Sequence, residues 1–264
     1  MEESSIFKTV ADLQQDRQSF CLVTVIGAKG STPRGAGAKM IVLGDGRIIG
    51  SIGGSAVESL VIQDALKALR DNKIMRCSHN LNDLDKNDTG MICGGFMEFY
   101  IEPVRSAPRL YIFGGGHCGQ PLARTAAFAG FESIVVEDRS DYAGIERFPG
   151  AAAVIEGTPD QVFSKITFGE NDYVAIVTRN HELDYQILKR VIDQDLVYIG
   201  LIGSKAKKAQ IFKKLEKDGV SRTLLDRVHC PIGLDIGAET PEEIAVSIVG
   251  ELIRVRNERL ADNM

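Results

Sequence analysis

The chain has 264 residues, which is more than one compact domain usually needs, so two domains are expected. Hydrophobic residues make up 44% and charged residues 25%, and the mean hydropathy is -0.03. These values are typical of an ordinary globular protein and argue against a disordered chain or a membrane span. The net charge of -5 argues against a nucleic-acid partner, which would favour a basic surface.

The N-terminus and the cysteines indicate the compartment. The first residues are acidic and polar, whereas a signal peptide needs a basic start and an apolar stretch. The five cysteines are an odd number and are scattered, unlike a disulfide framework. We therefore expect a cytoplasmic protein with free thiols.

The first part of the chain predicts a small α+β domain over residues 1–104. Short apolar runs indicate strands, apolar residues at helical intervals indicate helices, and a Gly-Asp-Gly turn at 44–46 indicates a hairpin. The predicted helices cover 7–13 and 55–69, and the extended segments cover 20–26, 39–43, 47–50 and 95–102.

Two glycine-rich loops of this domain are candidate anion sites. The loop at 27–39 lacks the P-loop pattern, but its backbone N–H groups and Arg34 can bind phosphate. The second loop places Gly53 and Gly54 directly before a predicted helix, where an anion is favoured. Glu58 lies one turn into that helix, and its ordinary role is to complement the helix dipole. A plain surface loop is the alternative for 27–39.

Cys93 stands next to two glycines, Gly94 and Gly95. Small neighbours leave the sulfur accessible, so a reactive or metal-binding thiolate is one interpretation. Inert packing is the other, as for many isolated cysteines.

A proline-rich connector at 103–108 predicts a domain boundary, and residues 108–264 form the second predicted domain. Apolar strands alternate there with helical segments, which predicts a parallel sheet with right-handed crossovers. The predicted strands cover 110–113, 133–137, 152–155, 173–177 and 197–202. Thr240, Pro241 and Glu243 predict the start of a closing helix, with a capping box.

The turn after the first of these strands has the dinucleotide-binding pattern. Gly114, Gly116 and Gly119 follow a strand and open a helix, and Asp138 ends the next strand. The glycines permit a tight turn, close approach of a pyrophosphate and close helix packing, while Asp138 would accept hydrogen bonds from a ribose. The pattern predicts a Rossmann-like fold, with NAD(P), another nucleotide or a pterin phosphate as the ligand.

Three further side chains are placed near this crevice. His117 and Cys118 lie inside the turn, either as ligand contacts or as ordinary residues at a helix start. His181 follows the fourth strand, where it could transfer protons or bind a metal. An ordinary polar loop residue is the alternative, since no second metal ligand lies at a suitable spacing.

Six stretches spread over nearly the whole chain carry a family resemblance. They are GSTPRGAGAKM at 30–40, GSIGGSAVE at 50–58, CGG at 93–95, GGGHCGQPLA at 114–123, IGLIGSKAKKA at 199–209 and HCPIGLDIGAETPEEIAVSIVGEL at 229–252. In this order they resemble the XdhC/CoxI family of accessory factors for molybdenum hydroxylases such as xanthine dehydrogenase. The combination is far more specific than any single glycine motif.

The resemblance implies a cofactor chaperone. Such a protein binds the molybdenum cofactor, protects it while its terminal sulfur is installed, and assists its insertion into the apo-enzyme of a molybdenum hydroxylase. A cysteine desulfurase is a further candidate partner, and a homodimer is expected. The matching positions are Gly53, Gly54 and Glu58 in the N-terminal signature, Cys93 in CGG and Gly114, Gly116 and Gly119 in the Rossmann turn.

Cys93 is thereby the candidate metal ligand, since a soft thiolate suits a thiophilic metal. Ser55 departs from the family pattern, because many relatives have cysteine or glycine at that position. A pair of thiols formed with Cys93 is therefore not available there.

Two other function classes stay open. An NAD(P)-dependent oxidoreductase would use Asp138 for the ribose and His181 as proton donor. A purely regulatory nucleotide sensor is the other. The accessory role is favoured over the oxidoreductase because the first domain supplies glycines and a thiol, where a dehydrogenase needs an evident acid/base pair.

Overall fold

A computed structural model of the chain describes residues 3–81, 95–169 and 171–262. It contains two compact units. The first consists of Met1–Ser106 with Arg259–Met264, and the second of Ala107–Glu258.

The first unit is a five-stranded antiparallel sheet with helices. Its elements are α1 (Glu3–Gln15), β1 (Phe20–Gly30), β2 (Lys39–Leu43), β3 (Ile48–Gly50), α2 (Ser55–Asp71), β4 (Met75–Asn80) and β5 (Gly95–Val104). The strand order is β3-β2-β1-β5-β4. Helix α2 buries Val57, Val61, Ala65 and Ala68, a stripe at helical spacing that packs in one core with side chains of β1 and β5. The predicted α+β class and the hairpin of β2 and β3 are confirmed.

The second unit is a six-stranded parallel sheet. Its elements are β6 (Arg109–Phe113), α3 (Gly119–Phe128), β7 (Glu132–Glu137), β8 (Ala153–Glu156), α4 (Pro159–Phe163), β9 (Asp172–Ile176), α5 (His181–Val191), β10 (Tyr198–Leu201), α6 (Lys205–Lys217), α7 (Arg222–Leu225), β11 (Val228–His229) and α8 (Pro241–Asp262). The strand order is β11-β10-β9-β6-β7-β8.

This order is that of a complete Rossmann sheet, in which the first strand lies at the centre. Every residue of β9 is buried, as expected for a central strand covered on both faces. The predicted Rossmann-like fold is therefore confirmed, as is the capping box, in which Glu243 N–H donates to Thr240 Oγ1 at 3.2 Å. In the described residues, no helix combines the length and apolar composition that crossing a bilayer demands.

Candidate functional site

A cavity opens at the carboxyl ends of β6, β7 and β9, where the strand order reverses direction. It has a volume of about 240 Å³. Its walls come from the glycine turn after β6, the Glu137–Arg139 segment at the end of β7, the Val177–Arg179 segment after β9 and the start of α5. Open α/β sheets bind ligands at this switch point, so the cavity is the candidate site of the second unit.

The glycine turn is built as its pattern predicts. A Cβ at Gly119 would overlap the carbonyl oxygen of Gly114, so only glycine allows α3 to pack this closely on the turn. Gly114 has φ +116°, a left-handed conformation that favours glycine. At Gly116, by contrast, the nearest atom to an added Cβ is Arg139 Nη2 at 3.9 Å. The face of Gly116 is therefore open to the cavity.

Glu137, the last residue of β7, is the buried carboxylate of this site. Its Oε2 accepts a hydrogen bond from Gly115 N at 2.7 Å, and its Oε1 accepts one from Arg139 Nε at 2.8 Å. Burial alone would raise the pKa of Glu137, but the bonds from Arg139 and Gly115 outweigh it and lower the pKa to about 2. Glu137 is therefore ionised and fixes the shape of the turn.

Asp138, the predicted ribose acceptor, lines the same cavity and forms an ion pair. Arg179 donates to both of its oxygens, with Nη1 to Oδ1 at 2.6 Å and Nη2 to Oδ2 at 2.9 Å. This bidentate pair joins the loop after β7 to the loop after β9 across the mouth of the crevice.

Arg139 and Arg179 add two guanidinium groups to the cavity wall. The Arg139 guanidinium lies 3.8 Å from the centre of the Tyr142 ring, a distance typical of cation–π stacking. Both cations stand beside the glycine turn. Arg139 pairs with Glu137, and Arg179 pairs with Asp138 and also lies 3.9 Å from Glu137 Oε1. The turn amides and the two planar guanidinium groups give the cavity the donors that a phosphate group requires.

The histidines and cysteines singled out in the sequence differ in position. His117 and Cys118 line the cavity. His181 is the exposed first residue of α5. Burial raises the pKa of the Cys118 thiol, and the Glu242 carboxylate raises it further. Cys118 is therefore a neutral thiol at physiological pH.

In the first unit, the glycine loop before α2 is organised around Glu58. Its Oε1 accepts a hydrogen bond from Ser51 Oγ at 2.6 Å and also accepts the backbone N–H groups of Ile52, Gly53 and Gly54 at 3.1–3.3 Å. Burial raises the pKa of Glu58, but the bonds from Ser51 and the three amides lower it by more. The N–H groups that the sequence offers to a phosphate are thus bonded to a carboxylate of the chain itself.

The two glycine loops of the first unit and Gly95 meet at one end of its sheet. A Cβ on Gly53 would lie 2.5 Å from Pro33 Cγ, which places the two glycine loops in contact. Gly95, which pairs with Gly30, lies against the carbonyl oxygen of Ser31. Arg34 is exposed on this loop. Cys93 lies outside the described residues.

Sequence reasoning singled out the glycine turn and Asp138 but missed Glu137, Arg139 and Arg179. Two features of the sequence could have identified Glu137 and Arg139 as site residues. Glu137 is an acidic residue at the end of a predicted strand, and Arg139 follows it by two residues. Arg179 carries no local signal, because it comes from a loop 41 residues away from its partner Asp138.

The fold and the site together define a protein with a Rossmann-type ligand-binding unit joined to a smaller α+β unit. Comparison with family models makes this more specific. Residues 110–252 match the XdhC Rossmann domain, and residues 13–77 match the model of the XdhC and CoxI family. The chain belongs to the XdhC and CoxI family, which confirms the resemblance.

Three relatives align with almost all of the chain. The uncharacterized protein YqeB of Escherichia coli (strain K12) is 32% identical over 96% of this chain, which spans only 46% of the length of YqeB. A probable xanthine dehydrogenase subunit of Bacillus subtilis (strain 168) is 27% identical over 95% of this chain and 97% of its own length. The molybdenum cofactor insertion chaperone PaoD of E. coli is 22% identical, over 97% of this chain and 89% of its own length.

A solved structure has the same fold. The crystal structure of a xanthine dehydrogenase from Bacillus halodurans matches with a TM-score of 0.54 and 24% identity, covering 98% of this chain and 97% of that one.

Proposed function

We propose that this chain is an accessory protein that binds the molybdenum cofactor, protects it while its terminal sulfur is installed, and assists its insertion into a molybdenum hydroxylase of the xanthine dehydrogenase type. Membership of the XdhC and CoxI family and the names of two relatives support the role in cofactor maturation. The observation that carries the binding step is the open face of Gly116 beside Arg139 and Arg179.

The cofactor, a pterin phosphate, is the cargo of this reaction. The cavity of about 240 Å³ is smaller than a typical small-molecule site of roughly 300–1,000 Å³, so it suits the phosphate end of such a ligand. In this proposal the backbone of the Gly114, Gly116 and Gly119 turn and the two arginines hold the phosphate. Asp138 positions Arg179 for that contact.

In the first unit, the proposed thiolate ligand of the metal is Cys93. Arg34 is an exposed cation on the loop at 27–39, and Glu58 fixes the shape of the separate loop that contains Gly53 and Gly54. The four cysteines among the described residues are free thiols, and burial raises the pKa of each one.

An NAD(P)-dependent oxidoreductase is the second candidate, and the strand order with its glycine turn favours it. Two contacts argue against it. Glu137, which precedes the predicted ribose acceptor Asp138, already accepts bonds from Gly115 and Arg139. Asp138 is paired with Arg179. A ribose would have to displace an arginine in either case, whereas a phosphate would use the arginines directly.

The test is a titration of the purified protein with isolated molybdenum cofactor, NAD and NADP, with bound pterin measured by fluorescence after oxidation. We expect the cofactor to bind and Gly116→Val to weaken binding at least tenfold, because the valine side chain would fill the cavity. Gly169→Val is the matched control, since an added Cβ there would meet only Asp172 Oδ2, at 3.9 Å. Binding of NAD or NADP without the cofactor would support the oxidoreductase instead.

Cys93→Ser tests the metal end in the same assay. We expect this variant to retain less cofactor than wild type while its circular dichroism spectrum is unchanged. Cys230→Ser removes a buried thiol that does not line the cavity and is the control. Full retention by Cys93→Ser would remove the thiol from the mechanism. Delivery is tested by adding loaded protein to an apo-hydroxylase, with and without a cysteine desulfurase, and measuring the activity recovered.

A further inference from the structure

A second group of metal-binding side chains lies in the first unit, on the face where α2 packs on β4. Cys77 and His79 are two residues apart on β4, so both point to the same side of the sheet. Asp64 comes from the middle of α2 and faces them. We propose that Asp64, Cys77 and His79 form a binding site for a divalent transition-metal ion of the Zn²⁺ type.

The distances suit this assignment. His79 Nε2 lies 3.0 Å from Asp64 Oδ2, and one ligand atom from each of the three residues lies within 4.8 Å of the others. In a tetrahedral zinc site with bond lengths of about 2.0–2.3 Å, the ligand atoms are roughly 3.3–3.6 Å apart. Side-chain rotations that move these atoms by about 1 Å or less therefore bring all three to one ion.

The donor set matches the preferences of Zn²⁺. One thiolate, one imidazole and one carboxylate are its usual protein ligands, and three of them leave a fourth position for water. The charges balance, because Cys77 and Asp64 each contribute one negative charge and His79 binds in its neutral form. The ions Mg²⁺ and Ca²⁺ prefer all-oxygen sites and are excluded by this set.

The supporting structure is rigid. Strand β4 pairs with β5 along its whole length, with Cys77 opposite Phe99 and His79 opposite Met97. The His79 ring also lies 6.0 Å from the Phe99 ring, which restricts its orientation. The side chains are partly buried, with 21% of His79 and 29% of Asp64 exposed, so an ion can enter from solvent without opening the core.

Without an ion, the three groups satisfy one another. Burial, together with the neighbouring carboxylate of Asp64, to which the thiol is hydrogen-bonded, raises the pKa of Cys77 to about 12. Metal binding therefore replaces the S–H bond with a sulfur–metal bond and releases one proton to solvent. The alternative role is purely structural, with the Asp64–His79 contact joining α2 to β4.

Cobalt(II) is the probe that separates these roles, because a thiolate ligand gives it a near-ultraviolet charge-transfer band and a tetrahedral site gives strong visible bands. We expect the full-length protein to bind one equivalent and to show both features. Cys77→Ser should lose the charge-transfer band and bind Co²⁺ at least about 100-fold more weakly. The same band should persist in Cys93→Ser and Cys118→Ser, which makes the result independent of the proposed cofactor function.

Two further measurements guard against a variant that does not fold. Asp64→Asn and His79→Gln should each weaken Co²⁺ binding, and Zn²⁺ should raise the thermal unfolding midpoint of wild type but not of these variants. The proposal is overturned if wild type shows no charge-transfer band, if the band survives in Cys77→Ser, or if Zn²⁺ leaves the midpoint of wild type unchanged.

Discussion

Glu58 is a carboxylate that a sequence reader would place at the start of a helix for its charge alone. In the structure it is 9% exposed and accepts hydrogen bonds from one hydroxyl and three consecutive backbone N–H groups. Its charge strengthens each of these bonds. The conformation of residues 51–54 therefore depends on this side chain.

Replacing Glu58 by Gln should lower the free energy of unfolding by about 2 kcal/mol at pH 7, because charge-assisted bonds become neutral ones. The folded-state pKa of Glu58 is lowered. The stabilisation that the ionised Glu58 carboxylate gives the folded state is therefore complete above its unfolded-state pKa of about 4.3. It is lost as the pH falls through its folded-state pKa. Urea unfolding should show a smaller difference in the free energy of unfolding between wild type and Glu58→Gln at pH 3 than at pH 7.

The control for this comparison is Glu102→Gln, on an exposed carboxylate of the same unit. It should change stability by no more than about 0.5 kcal/mol at either pH. If Glu58→Gln lowered the free energy of unfolding equally at both pH values, the ionised carboxylate would not be what holds the loop.

At the candidate site, the sequence predicted the glycines better than the acids. The spacing of Gly114 and Gly119 indicates positions where the backbone allows only glycine. The structure agrees, because the turn and α3 are in close contact there. Glu137 and Asp138 are adjacent acids, and the pattern alone could not decide which one turns toward the glycine turn. The acid that turns toward the glycines is set by the residue at which β7 ends. In the structure it is Glu137, which accepts a hydrogen bond from Gly115 N.

At the scale of elements, β11 and α8 are joined through a buried polar network. Glu251 on α8 accepts hydrogen bonds from Tyr198 Oη at 2.6 Å and Gly233 N at 2.8 Å, and it contacts His229 Nδ1 at 3.0 Å. Burial raises the pKa of Glu251, but the bonds from His229, Tyr198 and Gly233 lower it to about 2. The network fixes α8 against the edge of the sheet that β10 and β11 form.

Tyr198→Phe removes one donor from this network and keeps the ring. A hydrogen bond to a charged group is worth about 1.5–3 kcal/mol, so we expect a loss of about 2 kcal/mol. For a unit of this size that corresponds to a fall of roughly 4–8 °C in the thermal midpoint. Tyr100→Phe in the first unit keeps its ring over Arg76 and should change the midpoint little. A smaller effect of Tyr198→Phe than of the control would contradict the role given to the network.

The elements that sequence reasoning missed share a physical reason. Strand β4 alternates half-buried and exposed residues, with Arg76, Ser78 and Asn80 exposed, so it lacks the continuous apolar run that marked the central strands. It is an edge strand, where polar side chains discourage pairing with other chains. Strand β11 has two residues, too few for any periodicity. The long apolar strands were predictable because burial on both faces demands them.

At the scale of the whole molecule, the two units have separate hydrophobic cores. Among the described residues, the buried clusters of the second unit draw on residues 110–255, on both faces of the parallel sheet. Those of the first unit draw on residues 6–104. A core that is complete within one segment of chain is the usual property of an independently folding domain.

We therefore expect a fragment spanning Ala107–Glu258 to fold by itself. It contains the whole parallel sheet and all of the clusters packed on it, so it should give a mixed α/β circular dichroism spectrum and a single cooperative thermal transition. Ile176→Ala in the fragment creates a cavity at a fully buried position, so it should lower the free energy of unfolding by about 2–5 kcal/mol. A loss of this size would show that the transition reports native packing. A fragment that melts without cooperativity, or that is insensitive to Ile176→Ala, would show that the second unit depends on the rest of the chain.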